Sequence, residues 1–308
     1  MNSIRSLLKS ILLTLIFLNI YSAAETVTAQ DERRITMYER LKQMELDSLY
    51  TGLWVYYPEG YAGRAEVIAR RISASNQFFS DSLGVDVRIR IALLDPENYE
   101  RGEFLHPYGL PFISGGVTVL PADLNSGAVI DMFTPFEATI TADNLAVLQK
   151  AGFTYGEANK LMVDLIGLHE IGHEQVRAFG INTRQRWFDE LMASYLAYAY
   201  LRTMEPRMAV VWDAVTRAGR EGYQSNHTSL DDFNRLYTGV GVGDYVWYQN
   251  VFHERVRDVY DVHGLAFVRE VKNRLGNTHL KTIIAEELLA VLEEIAPGFM
   301  EWAAMFEL

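Results

Sequence analysis

The sequence predicts an α+β protein: a small mixed α/β subdomain with an edge strand, then a mainly helical subdomain, and a cleft between them. Three observations lead there. Short apolar runs bounded by Pro, Gly and Asp are confined to residues 50–135. From about Thr139 onward, apolar residues recur at the three- and four-residue spacing of amphipathic helices. No repeat, low-complexity tract or Pro/Gly/Ser linker separates the halves, so they are expected to meet at a cleft rather than hang in series. The expected segments are 1–24, 25–50, 51–138 and 139–308.

Segment 1–24 reads as a signal peptide. Arg5 and Lys9 precede an apolar run at residues 11–18, and the small residues Ser22, Ala23 and Ala24 follow. Cleavage after Ala24 or after Ala29 satisfies the small-residue pattern. The run is shorter than the roughly 20 residues a bilayer span needs. The mature chain is therefore expected to be exported, periplasmic or extracellular, with no stable membrane span.

Residues 31–50 are polar and helix-prone, with Tyr38, Leu41 and Met44 at three-residue spacing. Residues 53–57 read as a strand ended by Pro58-Glu59-Gly60. Residues 62–83 form an amphipathic helix stopped by Gly84. Residues 85–94 alternate: Val85, Val87, Ile89, Ile91 and Leu93 face one way, Asp86, Arg88 and Arg90 the other, as in a half-buried strand. Gly115-Gly116 and the following Val117-Thr118-Val119-Leu120 suit an edge strand over 112–120, and 129–133 is a candidate further strand. Helices are expected at 142–151, 156–179, 188–204, 208–219, 244–262 and 265–275, with a pair within 281–306.

The bulk composition excludes several chemistries. The chain of 308 residues contains no cysteine, so disulfides, thiolate ligands and thiol nucleophiles are all ruled out. Any metal site must be built from His and carboxylate. A net charge of −12, made more acidic when Arg5 and Lys9 leave with the signal, argues against nucleic acid as a partner.

The chemistry concentrates at His169-Glu170-Ile171-Gly172-His173, an H-E-x-x-H within the expected 156–179 helix. Histidines four apart share one helix face, so both imidazoles reach a single metal ion, with Glu170 beside it to take a proton from water. Met162, Leu165, Ile166 and Val176 share that stripe. A lone histidine on such a face is more often a satisfied core residue; two with a glutamate between them point to one Zn²⁺ ion. A catalytic zinc needs a third protein ligand and an open position. Glu190 is the first candidate, because Ala193, Ser194 and Ala197 make a small-residue stripe that lets its helix approach closely. Asp189 is the rival, either as ligand, as a first-turn acid facing the helix dipole, or as a partner to a ligand imidazole.

An HExxH followed some twenty residues later by a helix bearing a Glu resembles the gluzincin metallopeptidases, the clan of thermolysin and the membrane-alanyl-type aminopeptidases. Weaker echoes lie in Asp244-Tyr245, Tyr260, His263-Gly264 and Gly298-Phe299 followed by Trp302. Likeness covers roughly 155–306. The chain departs from that pattern at Ser194, where thermolysin-type enzymes place an Asp, and no Gly-Ala-Met-Glu-Asn motif stands in residues 100–125.

The resemblance implies a thermolysin-like fold and a peptide or protein substrate. It also implies zinc held by His169, His173 and Glu190, and Glu170 as general base. Tyr245 is the first choice for the donor to the oxyanion, with Tyr248, His253 and His263 as alternatives. Endopeptidase and aminopeptidase action both remain open. So do a catalytically idle binding protein and a zinc hydrolase of a non-peptide amide or ester. Arg184, Arg186 and Trp187 are a candidate carboxylate clamp or a solvated turn, and Glu286-Glu287 and Glu293-Glu294 read as a solvated face.

Overall fold

The computed structural model describes residues 36–276 and 283–306; the expected signal segment, and residues 25–35 after it, lie outside the described residues. The N-terminal half holds α1 (Met37–Lys42), β1 (Asp47–Tyr50), β2 (Trp54–Tyr57), α2 (Ala62–Leu83), β3 (Arg90–Leu94), α3 (Pro96–Arg101), β4 (Phe112–Ser114), β5 (Val117–Pro121) and α4 (Ala128–Phe133). Helices then follow: α5 (Ala142–Lys150), α6 (Tyr155–Phe179), α7 (Arg186–Met204), α8 (Pro206–Gly222), α9 (Leu230–Leu236), α10 (Val242–His263), α11 (Leu265–Leu275), α12 (Ala285–Ile295) and α13 (Phe299–Ala303). A small sheet followed by a helical half is the α+β arrangement expected.

The sheet has five strands in the order β1-β2-β3-β5-β4. β2, β3 and β5 run parallel, and β1 and β4 cap the two edges as antiparallel hairpin partners. A parallel step needs a long crossover, which α2 supplies between β2 and β3. Ile91 and Leu93 face α2 and the main core, with Val55, Ile68, Ile72 and Phe79. Ala92 and Leu94 face a second cluster with Met37, Leu41, Tyr99, Val117 and Val119. The central strands are thus buried on both faces, as parallel strands require.

Four expectations are corrected. Only Met37–Lys42 of segment 31–50 is helical among the described residues; Asp47–Tyr50 is a strand, turned back by Gly52 at φ +93° to pair with β2. Residues 85–89 have no strand partner, because the registers of β2 and β5 against β3 both begin at Arg90. Val117–Pro121 is internal, and the edge belongs to Phe112–Ser114, folded back through Gly115 and Gly116 at φ +57° and +73°. Residues 129–133 belong to α4, not a strand: an apolar run this short carries no decisive period, and Tyr155 and Asn159 of α6 donate to its Phe133 and Ile130 carbonyls.

α6 is the axis of the helical half. It starts on a Thr154–Glu157 capping box and stops at Gly180 in the left-handed conformation. Its Gly167 lies against β5, where a Cβ would come within 2.7 Å of Leu120. Its buried Asp164 accepts from Arg64 (2.6 Å) and Arg71 (2.9 Å) of α2, and Arg71 continues to Glu205 at the start of α8 (2.9 Å). This ion network locks the crossover helix, α6 and α8 together. Glu293, expected on a solvated face, accepts the backbone N–H groups of Gly298 and Met300 and so fixes the break between α12 and α13; Glu294 pairs with Arg274 at 2.9 Å.

Candidate metal centre

Two helices build the site. His169 and His173 stack four residues apart on α6, ring centroids 4.8 Å apart and nearly perpendicular. The ligand atoms of His169, Glu170 and His173 lie within 4.8 Å of one another. α7 brings Glu190 against both imidazoles: Oε2 is 3.1 Å from His169 Nε2 and Oε1 is 3.6 Å from His173 Nε2. Glu190 is only 3% exposed and His169 only 7%. The His169, Glu170 and His173 group could hold a metal ion.

Close approach of the two helices makes the meeting possible. A Cβ on Gly172 would fall 2.4 Å from the Ala193 carbonyl oxygen, so only glycine fits there. One residue on, Ser194 Oγ sits 2.9 Å from His169 Nδ1. Phe188, Leu191, Tyr195 and Leu196 of α7 are buried in the flanking core. The small-residue stripe on α7 therefore does what its composition suggested.

Three donors hold the Glu190 carboxylate. Tyr237 donates to Oε1 at 2.6 Å, Gln249 Nε2 to Oε2 at 2.8 Å, and Tyr245 reaches Oε2 at 3.4 Å. Tyr245 and Gln249 are four apart on α10, a spacing visible in the sequence although Gln249 was not singled out. Tyr237 had no such signal. It ends α9 with φ +54° and ψ −119°, a strained backbone for a non-glycine residue, and its ring lies under Arg186.

The electrostatics follow from burial and these contacts. Burial works to raise the Glu190 pKa, but the His173 and His169 imidazoles and the Tyr237 hydroxyl outweigh it and hold the carboxyl well below its usual range. For His169, burial opposes the charged form, yet the hydrogen bond and charge of Glu190 raise its pKa. Burial takes His173 down to about 4, and it pushes Glu170 up to about 7. The Tyr245 phenol, driven upward first by burial and then by Glu190, stays protonated and available as a donor.

Asp189 stays beside the cluster: it lines a second pocket together with His173, Glu190 and Tyr237, and its carboxyl is raised to about 7 by burial and then by Glu190. The other sequence candidates lie elsewhere. Tyr248 donates to the Ser229 carbonyl, and His253 bonds Asp213 beneath Trp212, so both are occupied in the core. His263 is the last residue of α10, Gly264 accepts from Tyr195, and Tyr260 meets Thr203. Phe299 and Trp302 are buried core, as is Trp187, which removes it from any carboxylate clamp.

Beside the cluster lies a cavity of about 420 Å³ between α6, α8, α10 and the β4 edge. His169, Glu170, Tyr237 and Tyr245 form one wall, and the rest is mostly apolar, including Phe112, Phe133, Met162, Ile166 and Trp212. No family model, curated protein or solved structure matches this chain.

Proposed function

We propose that the chain is an exported zinc-dependent metallopeptidase of gluzincin type, with a thermolysin-like arrangement and a peptide or protein substrate. One observation carries the reading: the Glu190 carboxylate lies between the imidazoles of His169 and His173, with Glu170 on the wall of an adjoining cavity. The donor set fits Zn²⁺, being two imidazole nitrogens and a carboxylate in a chain without thiols. The proposed export rests on residues 1–24, as read from the sequence.

His169, His173 and Glu190 would hold the ion. When bound, zinc supplies a Lewis acid that polarises a carbonyl and makes water more acidic. The chain's own residues supply the rest. Ser194 Oγ, 2.9 Å from His169 Nδ1, can accept the Nδ1–H, which would leave the Nε2 lone pair free for the ion. Tyr237 and Gln249 fix the Glu190 carboxylate from behind. Glu170, on the cavity wall beside the ligands, would take a proton from the attacking water and pass it to the leaving amine. Tyr245, protonated and on the same cavity wall, donates to the developing oxyanion.

Metal analysis of the purified protein, with a peptide-library assay run with and without chelator and beside Glu170→Gln, tests this. One equivalent of zinc and cleavage lost both to chelator and to the substitution support it. Tight zinc with no turnover of any peptide or ester favours a binding protein instead, and turnover of esters alone favours a non-peptide hydrolase.

A further inference from the structure

The cavity beside Glu170 is mostly apolar, and away from the metal cluster its polar lining is His106, Thr216, Thr238 and Asn250. Asn250 of α10 lines it, is 1% exposed, and its Nδ2 has no hydrogen-bond partner among the described residues. That nitrogen is pressed against α8, where a Cβ on Gly219 would come within 2.5 Å of it. Turning the amide about its axis exchanges Oδ1 and Nδ2, so the group can present either an acceptor or a donor. A buried amide without a partner costs stability, and a group bound in the cavity is one way to complete it. The nearby Thr216 hydroxyl is already committed to the Trp212 carbonyl at 2.8 Å and does not serve.

The rest of the wall selects what can enter. Phe112, Phe133, Trp212 and Tyr245 offer ring faces and edges, the surroundings in which an aromatic ring packs best. The volume, about 420 Å³, lies within the range of small-ligand pockets. A hydroxyl suits Asn250 in either amide orientation, since it both donates and accepts. Because His169 and Glu170 share this wall, a side chain seated here belongs to a residue next to the reacting carbonyl.

We infer that this cavity is a specificity pocket for an aromatic side chain ending in a hydroxyl, a tyrosine-like group, with Asn250 as its polar floor. The inference rests on the peptidase reading for its place in catalysis, but not for the binding itself. A pocket with a buried amide discriminates against the ring that lacks the hydroxyl, because filling it with that ring leaves the amide unpaired.

Binding of p-cresol and of toluene to the full-length protein is measured by calorimetry, in wild type and in Asn250→Leu. p-Cresol is expected to bind about tenfold more tightly than toluene in wild type, and the preference is expected to vanish in the variant. Equal binding of the two probes in wild type, or a preference that survives Asn250→Leu, overturns the proposal. The wild-type comparison needs no variant, so a misfolded Asn250→Leu does not rescue it. Otherwise identical peptides with Tyr or Phe flanking the scissile bond form the second arm, and Tyr is expected to raise kcat/KM. Cleavage with no preference between them, alongside equal probe binding, sinks the pocket alone. Selective p-cresol binding without any peptide cleavage upholds the pocket and sinks the peptidase reading.

Discussion

Gly172→Ala adds one methyl group at the contact between α6 and α7. Its Cβ would sit 2.4 Å from the Ala193 carbonyl oxygen and 3.0 Å from that residue's carbonyl carbon and Cα. All three are backbone atoms inside a helix, so no side-chain rotation relieves the clash. Restoring ordinary contact distances requires the helices to part by about 1 Å. Overpacking of this kind costs about 1–3 kcal/mol. The same movement opens the site one turn away, since His169 and Glu190 each precede the contact by three residues and are only 3.1 Å apart. Loss of ligand geometry on this scale is expected to weaken zinc binding by roughly 10–100-fold. Urea unfolding and competitive zinc titration read the two effects. Gly156→Ala is the control, because nothing lies within 4 Å of its added methyl group. Wild-type stability and zinc affinity in Gly172→Ala would refute the packing argument.

Tyr237→Phe removes the 2.6 Å donor to Glu190 Oε1 and is expected to lower zinc affinity by about tenfold while circular dichroism stays native. In chelated protein, Glu170→Gln changes the pH dependence of stability. Burial raises the Glu170 pKa from 4.5 to about 7, so its favourable contribution is complete below about 4.5 and is lost as pH rises through 7. The glutamine variant should lack that decline, and denaturation curves at pH 5 and pH 8 check it. Asp164→Ala strips Arg64 and Arg71 of a shared buried carboxylate and is expected to cost about 3–5 kcal/mol, measured by urea unfolding.

Much of the helical half is legible along the chain. The expected helices at 62–83, 156–179, 188–204, 244–262 and 265–275 fall within two residues of the observed ends of α2, α6, α7, α10 and α11. Their apolar stripes and stop signals are local properties, written into neighbouring residues. Short segments behave otherwise. Val85 to Ile89 alternate as a strand does, yet strand status is granted by a partner, and β2 and β5 begin opposite Arg90. The run 129–133 is apolar enough for either state, and packing on α6 made it helical.

The site divides along the same line. His169, Glu170 and His173 could be named together from spacing alone, because one helical turn fixes their relation whatever the rest of the chain does. Glu190 over Asp189 was a choice about which face of α7 meets α6, argued from Ala193 and Ser194; in the structure Glu190 faces both imidazoles, at 3.1 and 3.6 Å. Tyr237, reaching Glu190 across 47 residues through a strained turn, and Asn250, on the floor of a cavity walled by three helices and a strand edge, belong to the tertiary structure only. Periodicity and capping act through neighbours in sequence, whereas these contacts depend on how separate elements cross, and no local pattern encodes a crossing.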